Sequence, residues 1–107
     1  FLHAEAMAFL KPAIEAKNEF KKIVVTHQVP TFFNYPNKYK NDVIKEGFAV
    51  ELFDMIEPSG VSNWIFGHHH FNTPPFLVGN TQLLTNQLGY VHNKEHNRFK
   101  NDATFEL

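Results

Sequence analysis

The pattern of apolar and polar positions divides the chain into two amphipathic segments and several short apolar runs. From His3 to Phe20, apolar residues recur at intervals of three and four with charged residues between them, which predicts a helix packed on the core. Pro12 lies inside this segment and is expected to kink or divide the helix. Val43 to Ile56 shows the same spacing, and Glu57-Pro58-Ser59-Gly60 is expected to end it. These two segments are the predicted helices.

The short apolar runs predict β-strands. Lys22 to Thr26 is β-branched at its centre and predicts a strand buried on both faces, and Trp64 to Phe66 predicts a second buried strand. Phe76 to Val78 and Gln82 to Thr85 predict a hairpin across a glycine-containing turn, and Ala103 to Leu107 a last strand. A parallel crossover should make the first two strands neighbours, with their carboxyl ends at one edge. The pattern therefore predicts an α/β fold.

Four histidines follow these first two strands directly. His27 is the first residue after one strand, and Gly67, which is expected to turn the backbone, is followed by His68, His69 and His70 after the other. Alternate residues of an extended segment share a face, so His68 and His70 are expected to face one site while His69 faces away. Ligands of open α/β sheets bind at the carboxyl ends of strands, and imidazole is the commonest side-chain metal ligand. A metal site is predicted at this edge.

These residues resemble two motifs of the calcineurin-like metallophosphoesterases. Gly67-His68-His69-His70 is similar to the Gly-His-x-His signature that closes the family, and Val24 to Pro30 is similar to the strand and histidine that precede it. The resemblance implies a two-sheet α/β sandwich flanked by helices, with two divalent metal ions at its top, either zinc, manganese or iron. Carried over residue by residue, it implies that His27 and His68 bind one metal and His70 the other.

The family's earlier motifs, Asp-x-His, Gly-Asp-x-x-Asp and Gly-Asn-His-Asp/Glu, are absent from this sequence. We therefore expect residues 1–107 to be a single C-terminal fragment of a metallophosphoesterase domain, without its N-terminal half. The opening Phe1, which is not an initiator Met, fits that expectation. The resemblance implies hydrolysis of phosphate mono- or diesters, on a small-molecule or protein substrate, by the intact enzyme. The fragment itself is expected to be inactive, to hold one metal or none, and to supply no catalytic residue; its substrate-binding residues stay unknown.

Composition and charge narrow the classes of function. The chain has 107 residues, of which 43% are hydrophobic and 20% charged, as in one globular domain. A formal net charge of −1 gives no electrostatic case for binding nucleic acid. There is no cysteine to form a disulfide or a thiolate metal site, and no apolar run approaches the ~20 residues of a membrane span. An incomplete sandwich would expose apolar surface and a strand edge, so self-association is expected. The cellular compartment stays open.

Two other interpretations compete with the phosphohydrolase. His92-Asn93-Lys94-Glu95-His96 matches the His-x-x-Glu-His signature of a class of zinc metallopeptidases, in which a helix places both histidines on one face. Turn-like flanks favour a solvated surface segment instead.

The long loop from Pro30 to Asp42 is rich in Asn, Lys and aromatic residues, and either contacts substrate or is simply solvated. The alternative function is a non-catalytic, histidine-rich domain that binds metal or another protein.

Overall fold

A four-stranded sheet is the centre of the fold in the computed structural model, which describes residues 2–16, 19–31, 51–68 and 72–106. The helices and strands are α1 (Leu2–Glu15), β1 (Ile23–Val25), α2 (Phe53–Ile56), β2 (Asn63–Ile65), β3 (Phe76–Val78) and β4 (Thr81–Leu84), followed by the 3-10 helices Val91–Asn93 and Glu95–Arg98. The strand order is β1-β2-β4-β3; β1, β2 and β4 are parallel, and β3 is antiparallel to β4. The predicted α/β class is confirmed as an open, mixed sheet with few helices, and β1 and β2 are neighbours as expected.

One row of side chains across the sheet forms the core. The register pairs Val24 with Trp64 and Trp64 with Leu83, so these three side chains lie beside one another on the same face. All three are buried, and Trp64 and Leu83 have no exposed surface. Ile14 of α1 and Ile56 of α2 belong to the same cluster, so both helices pack against this face of the sheet.

The other face of the sheet is less covered. Successive residues of a strand point to opposite faces, so the next row consists of Val25, Ile65 and Leu84. Val25 is 70% exposed and Ile23 is 41% exposed, whereas Ile65 and Leu84 are half-buried. The prediction that the first strand is buried on both faces is wrong. β1 is an edge strand, and in the part of the chain that the structure describes no layer packs over its second face.

Helix α1 is shorter than predicted. It ends at Glu15 and not at Phe20, because the side chain of Lys22 donates to the carbonyls of Ile14 and Ala16 at the helix end. Pro12 removes one helical hydrogen bond, yet the helix continues unbroken, and Ala16 N–H donates to the Pro12 carbonyl over 3.0 Å. Buried Ile14 fixes the turn beyond the proline to the core.

Only the end of the second predicted helix can be compared with the structure. α2 begins at Phe53, since Leu52 has φ −120° and its N–H donates to the Pro30 carbonyl over 2.8 Å instead of to a carbonyl one turn earlier. The predicted stop is confirmed, with Gly60 at φ +73° closing the turn. Residues 32–50 lie outside the described residues, with most of this helix and nearly all of the predicted Pro30 to Asp42 loop.

The hairpin prediction is confirmed, with β4 beginning one residue earlier than expected. Gly79 has φ +61°, and a Cβ there would lie 2.4 Å from the Glu57 carbonyl oxygen, so the turn requires glycine. The predicted last strand is wrong over residues 103–106, which are irregular and exposed, because they pair with no strand of the described sheet and Phe105 stays 39% exposed. Within the described ranges, no helix combines the length and hydrophobicity that a bilayer crossing requires.

Candidate metal centre

Backbone hydrogen bonds bring the turns after β1 and β2 together. The parallel ladder continues past the strands, since Thr26 N–H donates to the Ile65 carbonyl over 2.9 Å and Gly67 N–H donates to the His27 carbonyl over 3.1 Å. Phe66 N–H donates to the Leu84 carbonyl, which ties the same turn to β4. The backbone on either side of the strand ends is therefore fixed before any side chain contributes.

The rings of His27 and His68 meet at this edge. His68 Nδ1 lies 2.6 Å from His27 Nε2, and the ring centroids are 4.6 Å apart with planes inclined at 76°. In the neutral pair one nitrogen donates and the other accepts, so the tautomers of the two rings are linked. His27 is exposed, and the pair is open to solvent. The expectation that His27 and His68 share an edge is confirmed, whereas their role as metal ligands stays a prediction.

His68 has an unusual backbone conformation. Its φ is +82°, a left-handed value that costs an L-residue other than glycine roughly 1–2 kcal/mol. The predicted turn at Gly67 is wrong in detail, because Gly67 does not have a positive φ and the left-handed residue is the histidine. Because His68 is not extended, the alternation that would set His68 and His70 on one face does not begin there. In this conformation the ring of His68 meets that of His27.

The third predicted ligand cannot be placed. His70 and its neighbours His69 and Phe71 lie outside the described residues, so the assignment of His70 to a second metal stays a prediction. Over the described ranges, no group of three or more His, Asp or Glu side chains is arranged to hold an ion. His27 and His68 are therefore a pair of candidate ligands.

The geometry of the pair suits a shared metal after a small movement. Two nitrogens bound to one tetrahedral ion at bond lengths of about 2.0–2.1 Å lie about 3.3 Å apart, so the pair must open by less than about 1 Å. The nitrogens already converge on each other, and His27 is free of the core. Binding requires each ring to keep its proton on the nitrogen that faces away from the partner ring. The two imidazoles fit a metal on these grounds.

Side chains that sequence reasoning missed brace this edge. Asn72 is buried, and its amide pairs with both backbone groups of Gln87: Nδ2 donates to the Gln87 carbonyl over 2.8 Å, and Oδ1 accepts from its N–H over 2.6 Å. This pair anchors the chain just after the histidine triplet. The hydroxyls of Thr26 and Thr85 also bond to the two turns. Each threonine is the last residue of a predicted strand, and a hydroxyl at that position was the available signal for both.

The competing peptidase motif lacks the helix that it needs. His92 and His96 lie on separate 3-10 helices, and Lys94 between them has a left-handed φ of +60°. The carboxylate of Glu95 accepts a hydrogen bond from Tyr90 N–H over 2.6 Å, so it serves as a local brace. The two histidines do not share one face of a continuous helix, and the peptidase interpretation is wrong.

Comparison with known proteins relates the chain to a segment of a longer one. It is similar to an uncharacterized protein of Acanthamoeba polyphaga mimivirus, with 31% identity over 101 residues. The similarity covers 87% of this chain and 35% of the viral protein, so the chain spans about a third of that relative's length. No family model matches the chain. No solved structure matches it.

Proposed function

We propose that this chain is the C-terminal part of a dinuclear-metal phosphohydrolase that resembles the calcineurin-like metallophosphoesterases. The observation that supports the proposal is the 2.6 Å approach of His27 Nε2 and His68 Nδ1 at the carboxyl ends of two neighbouring parallel strands. These are the two residues that the sequence resemblance assigns to one metal. Placement at this edge is what the chemistry requires, since ligands of such sheets bind there.

The two imidazoles would hold one divalent cation and fix its position relative to the sheet. Bound metals would polarise the phosphate oxygens and activate the attacking water. The rings are neutral ligands, and neutral ligands alone leave the charge of a dinuclear centre uncompensated. The carboxylates that balance it would come from outside residues 1–107, in the two-layer sandwich that the resemblance implies. His70 would serve the second ion, and the chain alone would bind one metal or none.

The test compares the intact protein that carries this chain with residues 1–107 alone. Both are assayed on aryl phosphate monoesters and diesters with added Mn²⁺ or Zn²⁺. We expect hydrolysis by the intact protein only, and loss of hydrolysis in His68→Ala. His92→Ala is the matched control. His92 is exposed, lies on the 3-10 helix Val91–Asn93 and contacts the ring of Tyr90, so it is not part of the His27 and His68 pair. A folded, metal-loaded intact protein without activity would contradict the proposal and favour the non-catalytic binding domain.

Self-association of residues 1–107 is part of the same proposal. Within residues 2–16, 19–31, 51–68 and 72–106, β1 is an edge strand that carries the exposed Val25 and Ile23, so it offers apolar surface and backbone groups to another copy. Light scattering should show dimers or larger species for the isolated chain. A stable monomer at high concentration would contradict this part.

A further inference from the structure

Two threonine hydroxyls occupy equivalent places at the carboxyl edge of the sheet. Thr26 is the first residue after β1, and Thr85 is the first residue after β4. Each hydroxyl donates to a backbone carbonyl of a turn that carries a candidate ligand. Each also accepts a hydrogen bond from a side-chain N–H. One arrangement is thus repeated on both sides of the histidine pair.

Thr26 braces the turn that carries His27. Its Oγ1 donates to the Gln28 carbonyl over 2.8 Å and accepts from Trp64 Nε1 over 3.0 Å. Trp64 is fully buried in the core, so its indole is a fixed reference point. Because the hydroxyl accepts the indole proton, its own proton is left to point at the carbonyl. The turn after β1 is thereby tied to a large, fully buried side chain of the core.

Thr85 braces the turn that carries His68. Its Oγ1 donates to the Phe66 carbonyl over 2.9 Å and accepts from Gln87 Nε2 over 2.8 Å. Gln87 is held in turn by the buried amide of Asn72. The carbonyl that Thr85 contacts belongs to Phe66, two residues before the left-handed His68. The hydroxyl adds to the backbone bonds of Phe66 and Gly67 that hold this turn, in which His68 has its left-handed φ.

We propose that Thr26 and Thr85 are positioning residues that set the spacing and direction of the His27 and His68 rings for a shared divalent cation. The inference rests on the metal binding of the proposed function and extends it to a supporting set of hydrogen bonds. Groups that hydrogen-bond directly to metal ligands change metal affinity by about 10–100-fold. Thr26 and Thr85 act one step further from the ion, through backbone carbonyls of the turns, so their effect should lie at the low end of that range. A misplacement of less than 1 Å matters here, since the pair must settle near the nitrogen spacing that one ion imposes.

The test removes each hydroxyl without changing side-chain volume. Zn²⁺ affinity of the intact protein is measured by competition with a chromophoric chelator for Thr26→Val, Thr85→Val and the serine variants at both positions. We expect about 10-fold weaker binding for each valine variant and recovery in Thr26→Ser and Thr85→Ser. Thr81→Val is the matched control: its hydroxyl also donates to a backbone carbonyl, that of Val61 over 2.7 Å, but at the opposite ends of the strands, and Thr81 is more deeply buried than Thr26 or Thr85.

A second measurement does not depend on metal. Imidazole ¹⁵N chemical shifts in the metal-free protein report whether the His27 and His68 nitrogens still share a hydrogen bond. We expect Thr26→Val and Thr85→Val to change these shifts, and Thr81→Val and the serine variants to leave them as in the wild type. Thermal unfolding of each variant separates loss of contact between the rings from loss of the fold.

The outcomes separate this inference from the proposed function. If His68→Ala loses Zn²⁺ while both valine variants bind it and keep their ¹⁵N shifts, the positioning role is overturned and the metal site stands. If Thr81→Val weakens binding as much as Thr26→Val, the effect is one of general stability and the inference is again overturned. If the wild type binds no Zn²⁺, the proposed function fails, and the inference fails with it.

Discussion

The amino edge of the sheet, where β1, β2 and β4 begin, and the carboxyl edge, where they end, both have regular hydrogen bonds. They differ in the groups that their polar side chains face. At the amino edge, Thr81 Oγ1 donates to the Val61 carbonyl, and Gln82 N–H donates to the Ser62 carbonyl. Those bonds end on backbone, and where side chains do meet, two amides satisfy each other, since Asn63 Nδ2 donates to Gln82 Oε1 over 3.2 Å. At the carboxyl edge, comparable threonine bonds lie beside two imidazole nitrogens that converge in the open.

The difference also appears in the backbone. At the amino edge the residue with a positive φ is Gly79, which also lies close to the Glu57 carbonyl. Glycine adopts this conformation without strain. At the carboxyl edge the positive φ falls on a histidine, while the adjacent Gly67 does not have one. At the amino edge the positive φ is on a glycine, where it costs little free energy, and at the carboxyl edge it is on a histidine, whose ring can bind a metal. Conformational strain thus marks the candidate site more sharply than hydrogen bonding does.

The largest expected effect comes from the residue that joins the core to the carboxyl edge. Trp64→Ala should lower the free energy of unfolding by about 3–5 kcal/mol, because it leaves a large cavity beside Val24 and Leu83. Urea denaturation measures the loss. Trp64→Phe keeps most of the apolar volume but removes the indole N–H, so it should cost less stability while still weakening Zn²⁺ binding through Thr26. Equal Zn²⁺ affinity in Trp64→Phe and the wild type would contradict the inference that Trp64 supports the metal site through Thr26.

The next effect is confined to the amino edge. Gly79→Ala should destabilise the protein by about 2 kcal/mol or more, since the new Cβ meets the Glu57 carbonyl oxygen and φ is unfavourable for alanine. Chemical denaturation gives the cost, and Zn²⁺ affinity under native conditions should stay as in the wild type. A large loss of affinity in this variant would show that the two edges are not independent.

A smaller effect of opposite sign is expected at the candidate site. His68→Gly should stabilise the fold by about 1 kcal/mol, because glycine adopts a φ of +82° without strain, yet it should remove Zn²⁺ binding. His68→Ala keeps a Cβ and serves as the control that loses the ring without relieving the strain. A midpoint of unfolding no higher in His68→Gly than in His68→Ala would argue against stored strain.

The smallest effect tests the glycine that the sequence singled out. Gly67→Ala should change stability by less than about 1 kcal/mol, because an added Cβ would lie at ordinary contact distances of 3.7 Å from the His27 carbonyl oxygen and 3.9 Å from Gln87 Oε1. Thermal unfolding beside Gly79→Ala gives the contrast directly. A cost equal to that of Gly79→Ala would place a conformational requirement at Gly67 after all.

The sequence predicted the parts of the fold that depend on local pattern. The β-branched run around Val24, the apolar run at Trp64 and the glycine of the hairpin each specify their element through nearby residues. The adjacency of His27 and His68 followed from one topological rule. These predictions needed no knowledge of distant contacts.

The parts that failed depend on neighbours that pattern cannot reveal. A run such as Ile23 to Val25 has the same composition in a central strand and in an edge strand, and only packing shows that Val25 is exposed. The end of α1 depends on Lys22 reaching back to its last carbonyls. The positive φ of His68 could not be predicted from the sequence either, because the neighbouring Gly67 is the residue that would be expected to adopt it.

The positive φ of His68 also bears on how this sequence changes over generations. Glycine is preferred at that backbone position on conformational grounds, but a histidine codon becomes a glycine codon only through two base changes, by way of arginine or aspartate. The conformationally easier residue is therefore two mutational steps away, and a protein that is already stable enough gains little by reaching it. The left-handed histidine at position 68 can persist on that ground alone, so its presence is no measure of what its ring does.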